Sequence, residues 1–297
     1  MSIKKWINLN THDLTGKTIA LTGTTGGLMT VVVDFLCSKN ANLILLNRNK
    51  HLTEQQILKL KAKYPHINIE FIECNLENFE SVKTATEVLK TKPIDILYLS
   101  AGAYNIKRCK TSLGFDNVFQ INFVSHYYIA KQLLPFLNSR NGKIVAIGSV
   151  AHRYSKINSN DVDFSKQKKS SKVYGNAKRF LMFSLMQLLE HQPCKLAVVH
   201  PGVTLTSMTN HYPKAINWLV RIGIKLLFPS PKKASLSLFK GIFENTDTHK
   251  WIGPSVLNVW GYPKQQKLII DTSEIDEIFA ISEKIYNKIN ENFQHKK

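Results

Sequence analysis

The chain has 297 residues, 43% hydrophobic and 21% charged, with 14 glycines and 10 prolines; this excludes a fibrous or disordered chain and fits one globular unit with a sizeable core. Its formal charge of +19 raises nucleic acid or an anionic surface as partners. The basic runs are short (107–110 and 166–172), with no zinc-finger spacing and no RNA-binding aromatic signature, so no nucleic-acid partner is expected.

Residues 1–13 are polar and read as a loose N-terminal arm. Residues 17–23 (KTIALTG) form an apolar run ending in a glycine turn, which predicts a buried strand. A helix is predicted over 28–38, a strand over 42–46, a helix over 52–64 stopped by Pro65, and a strand over 68–72. Then follow a helix over 76–90, a strand over 94–99, a long helix over 114–138, a strand over 143–147, a helix over 172–189 and a strand over 195–199. After Pro201 the alternation stops; 203–265 read as an excursion over the site, and 266–297 as an extension carrying a helix over 273–293. Short apolar strands alternating with helices imply right-handed βαβ units: an α/β chain with one doubly wound parallel sheet in a three-layer α/β/α domain over 14–265. In such sheets ligands bind beyond the carboxyl ends of the strands. Cys37, Cys74, Cys109 and Cys194 form no CxxC pair, so neither disulfides nor a metal site is expected, and a reducing, cytoplasmic compartment is. The first ten residues lack an apolar signal core, and no run of 18 uncharged apolar residues predicts a spanning helix.

The turn after the first strand, with Gly23, Thr25, Gly27 and Leu28, opens a helix, so its amides can hold a pyrophosphate. The second strand ends in Asn47-Arg48-Asn49-Lys50-His51 without the acid that would bind a ribose 2′-hydroxyl. Arg48 can instead pair with a 2′-phosphate, which points to NADP(H) rather than NAD(H) as cofactor. Tyr174 and Lys178 stand at i,i+4 on one helix face. A tyrosine is a poor base at neutral pH, and a neighbouring ammonium favours its phenolate, so the pair suits proton transfer at a carbonyl or alcohol oxygen. Ser149, at the end of the fifth strand, could hold that oxygen.

These residues resemble the short-chain dehydrogenase/reductase family, whose fold is Rossmann-like. Its TGxxxGxG turn is matched at Thr22, Gly23 and Gly27, with Met29 in place of the third glycine. The resemblance implies adenine-side contacts from Asn75 and Leu76, and close approach to the cofactor at Ala101 and Gly102, which retain half of an NNAG segment. It further implies contacts from Pro201, Gly202, Val203 and Thr204 or Thr206, and a catalytic set of Asn122, Ser149, Tyr174 and Lys178. The long gap from Ser149 to Tyr174 is similar to the retinol-dehydrogenase-like branch, which makes a lipophilic alcohol or carbonyl substrate an expectation. Residues 203–265 would then cap the substrate pocket. The basic amphipathic stretch 214–228 allows a peripheral membrane contact, and the family habit implies a homo-oligomer through the helices of Asn122 and Tyr174. The same fold without turnover, as a nucleotide-sensing or interaction protein, is the alternative that the altered glycine turn and NNAG segment leave open. A serine hydrolase is not, because Gly148-Ser149-Val150-Ala151 lacks the second glycine of a nucleophile elbow.

Overall fold

Strands form where the apolar runs fall: β1 (Thr18–Thr22), β2 (Asn42–Asn47), β3 (Ile69–Glu73), β4 (Ile96–Leu99), β5 (Lys143–Ile147) and β6 (Lys195–Val199). The computed structural model describes residues 1–154, 156–202, 229–268 and 270–294. Two further strands, β7 (Lys250–Val256) and β8 (Trp260–Lys267), complete a sheet of order β3-β2-β1-β4-β5-β6-β7-β8. All neighbours are parallel except β7 and β8, an antiparallel hairpin. The order reverses beside β1, so the carboxyl ends of β1 and β4 open a crevice there.

Each strand sends alternate side chains to two cores. On one face Ala20, Ile44, Leu97 and Ile144 pack beneath α4 (Phe79–Lys90), α6 (Ser125–Ser139) and α7 (Ser170–Leu189). On the other Ile19, Leu21, Leu43 and Val145 meet α2 (Met29–Cys37) and α8 (Pro231–Phe243). There Phe35 of α2 stacks on Phe239 of α8 with ring centroids 3.9 Å apart; fully burying a side chain of this size stabilises the fold by about 1.5–3 kcal/mol. The helix starts are capped: Asn49 accepts from Leu52 N at 3.0 Å ahead of α3 (Lys50–Lys63), and Asn78 caps α4.

Three segments differ from the sequence reading. The N-terminal residues are not a loose arm: α1 (Ile3–Asn10), capped by Ser2, buries Trp6 against Tyr262 of β8. The excursion expected over 203–265 is, from Ser230 onward, α8, β7 and β8, which extend the sheet and its helical layer. The long helix expected over 114–138 starts only at α5 (Asn117–Phe119) and passes through a π-helical turn (Gln120–Val124) into α6.

The C-terminal extension is α9 (Thr272–Gln294), and it lies along α7 and α6. Ile275, Ile278 and Ile289 join the core, Ser184 of α7 meets Ser282 at 2.6 Å, and Glu283 takes Tyr127 and Lys131 of α6. The chain's own last helix thus covers part of α7 and α6, the helices through which self-association was expected. The membrane contact expected through 214–228 is also withdrawn: no helix among the described residues is long and apolar enough to cross a membrane, and 214–228 lie outside the described residues.

Behind the sheet edge His200 is 3% exposed and stacks on Trp251 at 4.8 Å, and burial holds its imidazole down to about 4 from 6.5. Between those two pH values the unfolded chain takes up a proton that the folded chain refuses, so stability falls as pH drops through that window. His200→Phe keeps a stacked ring and removes one such proton. Its urea midpoint is expected to fall less than the wild type's between pH 6.5 and 4.

Candidate active site

β5 delivers Gly148 and Ser149 to the crevice, and a 3-10 turn (Val150–Tyr154) carries the chain away. The Ser149 carbonyl accepts from His152 N at 3.1 Å and from His152 Nδ1 at 2.7 Å, while Ser149 Oγ accepts from Ala151 N at 3.2 Å. This turn presses directly on α7. A Cβ at Gly175 would stand 2.2 Å from the Ala151 oxygen, so only glycine permits the contact. The approach brings Tyr174 beside Ser149, whose side chain acts to lower the phenol's pKa.

One turn along α7, Lys178 is 1% exposed and donates to the Ile147 carbonyl at 3.0 Å. Its ammonium lies 5.8 Å from the centroid of the Tyr174 ring. The fully buried Asn122 sits in the π turn, where Nδ2 donates to Val118 O and Ala103 O, both at 2.8 Å, and Oδ1 accepts from Ala103 N at 3.3 Å. A Cβ on Gly102 would meet that Oδ1 at 2.8 Å. The four residues expected to act together therefore converge from α7, the β5 end and the π turn.

Dryness sets the electrostatics here. Burial pushes Tyr174 up to about 12, against the lowering effect of the Ser149 side chain. Burial also pulls Lys178 down to about 8. The lowering of Tyr174 expected from the neighbouring ammonium does not prevail; desolvation disfavours both charged forms.

The rest of the crevice is a cavity of about 490 Å³ lined by Gly23, Thr25, Gly27, Leu28, Arg48, Asn75, Leu76, Ala101, Gly102, Tyr174, Lys178 and Pro201, within the usual range for a ligand site. Gly23 and Gly27 have φ of +71° and +57°, and nothing stands within 4 Å of a Cβ built at Gly26 or Gly27, so the turn offers its backbone to open space. Exposed Arg48 directly follows β2, and Tyr174 stands beside the end of β5, three strands away across the sheet. This cradle fits an elongated dinucleotide. Gly202 (φ +82°) turns against Pro254, Asn258 and Val259; Val203, Thr204 and Thr206 lie outside the described residues. Met29, in place of the third glycine, is 5% exposed and lines the cavity while joining the core beneath α2.

Several residues that hold the site went unread in the sequence. Thr24 N donates to Asn47 Oδ1 at 2.7 Å, Asn47 Nδ2 to Thr24 Oγ1 at 2.8 Å, and Gln56 Nε2 to Thr24 O at 2.9 Å, which clamps the glycine turn to β2 and α3. Thr22 Oγ1 accepts from Ser100 N at 2.9 Å and Ala101 N at 3.0 Å, so both its lone pairs are used and its proton goes to His126 Nε2 at 3.0 Å. Asn47 and Thr24 flank Arg48 and Thr25, and that adjacency was the available signal. His126, 104 residues from Thr22, gave none.

A crevice of this shape with an apposed tyrosine and lysine defines a nicotinamide-dinucleotide oxidoreductase of alcohols and carbonyls. Residues 17–217 match the family model described as short chain dehydrogenase, and the chain belongs to that family. It is 28% identical to an uncharacterized oxidoreductase of Schizosaccharomyces pombe, over 80% of this chain and 75% of that protein. It is 25% identical to polyprenol dehydrogenase of Homo sapiens, over 70% of this chain and 65% of the relative, and 25% identical to retinol dehydrogenase 14 of Homo sapiens, over 90% and 85%. Among solved structures, an uncharacterized protein from Mycobacterium paratuberculosis shares the fold with a TM-score of 0.73 at 19% identity, covering 94% of this chain and 96% of that one. L-sorbose reductase from Gluconobacter frateurii, complexed with NADPH and L-sorbose, has a TM-score of 0.61 at 15% identity, covering 78% and 91%.

The folded chain keeps Lys178 at about 8 against an ordinary 10.5. Below about 8 the fold bears a buried cation, and as pH rises from there it sheds the proton before the unfolded chain does, which relieves the penalty. Lys178→Met removes the charge at every pH. Its melting temperature is expected to exceed the wild type's by more at pH 7 than at pH 10, read by calorimetry without added nucleotide.

Proposed function

We propose that the chain is an NADP(H)-dependent reductase of a lipophilic carbonyl compound, with Tyr174 as the proton donor and Asn122, Ser149 and Lys178 completing the catalytic set. The observation that carries this reading is the convergence of Ser149, Tyr174 and Lys178 beside a cavity that Arg48 also lines, with no acid from β2. Arg48 would take the 2′-phosphate through charge-assisted bonds, the glycine-turn amides from Gly23 to Leu28 the pyrophosphate, and Asn75 and Leu76 the adenine side. Gly102, Lys178 and Pro201 would border the nicotinamide ribose and ring. When bound, the dinucleotide supplies the hydride that reaches the carbonyl carbon.

The remaining chemistry falls to the chain's own groups. Ser149, tethered through its carbonyl to His152, would hydrogen-bond the substrate oxygen and stabilise the negative charge that grows on it. Tyr174, held protonated by burial, would give its proton to that oxygen. With its pKa pushed up to about 12, the phenol is protonated at neutral pH, the state that can give a proton to a carbonyl oxygen. Lys178 would donate to the ribose hydroxyls while its bond to the Ile147 carbonyl fixes it, and Asn122 holds the Ala103 backbone beside the cleft. Tyr104 packs edge-on against Tyr174 at 5.3 Å, and Ala103, Ile106 and Ile121 line the cavity nearby, an apolar wall suited to a hydrophobic substrate. The names retinol dehydrogenase and polyprenol dehydrogenase among the relatives support the same class.

Fluorescence titration should show NADPH binding tighter than NADH, with Arg48→Ala weakening NADPH by about tenfold or more and NADH little, as expected for loss of a charge-assisted bond. Equal affinities would remove the cofactor assignment. On a panel of aromatic and long-chain aldehydes and ketones, Tyr174→Phe should lower kcat by about a hundredfold or more while NADPH affinity stays close to wild type. Tight NADPH binding with no turnover on any carbonyl would instead support a nucleotide-sensing protein.

A further inference from the structure

We propose that Glu274, in the first turn of the C-terminal helix α9, is a positioning residue for Ser149, acting through Arg179 and the turn that follows β5. Its activity test rests on the reductase reading above; its structural test does not.

The Glu274 carboxylate accepts from Arg179 Nε at 2.6 Å, and its second oxygen takes an Arg179 terminal nitrogen, a two-point pair. The other terminal nitrogen of Arg179 donates to the His152 carbonyl at 2.7 Å. His152 in turn grips the Ser149 carbonyl with both its backbone N–H and its Nδ1. Glu274 Oε1 also accepts from Ile157 N at 3.3 Å, beyond the far end of the same turn. One carboxylate from the last helix thus holds this stretch at two places, His152 through Arg179, which directly follows Lys178, and Ile157 by direct contact.

The geometry is directional. All three guanidinium nitrogens are used, in the planar fork that lysine cannot reproduce. The side chains of Arg179 and Glu274 are 9% and 14% exposed, so water offers little replacement for a lost partner. A pair this dry is weak as a source of net stability, because desolvation offsets its attraction. What it supplies is a fixed position, which Ser149 needs: its Oγ accepts from Ala151 N within its own turn, and the carbonyl bonds to His152 are its tether. The same helix carries a comparison. Glu283 pairs with Lys131 and Tyr127 of α6, so it too ties α9 to the body of the protein, by a contact that does not involve Arg179 or His152.

Glu274→Gln, Arg179→Lys and Glu283→Gln are compared in the full-length protein by amide hydrogen exchange and by NADPH-dependent reduction of the carbonyl panel. Glu274→Gln and Arg179→Lys should speed exchange over 149–157 by about tenfold and leave the glycine turn, 22–28, unchanged. Both should lower kcat by about tenfold with the KM for NADPH within about twofold of wild type. Glu283→Gln should do neither. The proposal is overturned if the Glu274 and Glu283 variants behave alike, or if exchange over 149–157 is unmoved in both Glu274→Gln and Arg179→Lys. A wild type that reduces no member of the panel defeats the reductase reading alone, and the exchange data still decide the clamp.

Discussion

The organisation of the crevice follows from one expensive feature, an ammonium buried at Lys178 with the Ile147 carbonyl as its protein acceptor. Moving such a group out of water costs several kcal/mol even after relaxation. The fold must therefore bring polar backbone to it and keep apolar side chains from closing over it. β5 ends where its last carbonyl can accept, Gly102 leaves the space in front of the Asn122 amide open, and Gly175 lets the post-β5 turn sit flush on α7. The π turn at Gln120–Val124 serves the same end by placing Asn122 so that its side chain serves two backbone carbonyls and an N–H near the cleft. The dryness that makes Lys178 costly also keeps Tyr174 protonated, so one environment sets the state of both groups.

Where the sequence departs from the family pattern, other polar groups satisfy the same backbone. Ser100 stands where an asparagine was expected; its hydroxyl bonds the Thr22 carbonyl, and its N–H and that of Ala101 share Thr22 Oγ1. The glycine turn lacks its third glycine, yet the Thr24–Asn47–Gln56 network pins the segment that carries Gly23 to Gly27, and Met29 adds apolar contact below it. The positive φ of Gly23 and Gly27 shapes the turn's backbone, and a Cβ built at Gly26 or Gly27 meets nothing within 4 Å, so the turn stays open to the cavity with methionine at 29.

The parallel core was legible because a strand buried on both faces must be a continuous apolar run, as in β1, β2 and β5. The edge was not. β8 reads Trp-Gly-Tyr-Pro-Lys-Gln-Gln-Lys and is half exposed, with the proline and lysines expected of a strand that protects a sheet edge, so it carries no apolar signature. The eight-residue α1 is too short to be stable alone and exists because Trp6 finds Tyr262, a contact with a partner 256 positions away in a chain of 297. Most residues that line the crevice were legible, since they lie in motifs, while Val203 and Thr204 fall outside the described residues. The supports of the site were not, because Thr22–His126 and Arg179–Glu274 join distant segments by a few polar contacts that leave no local periodicity.

The charge excess bears on how the last helix finds its place. The chain has 40 lysines and arginines against 21 acids, so an acid is a scarce complement on a basic surface. α9 commits Glu274 and Glu283 to Arg179 and Lys131, on the two helices that it covers. Isoleucines at 275, 278 and 289 give the helix a reason to bury its face, but an apolar stripe alone tolerates sliding by a turn. Two ion pairs nine residues apart, each directed at a different helix, admit one register. Among the described residues that register is what carries Glu274 to the Ser149 turn, so the electrostatic oddity of the sequence and the order of its site meet in the same helix.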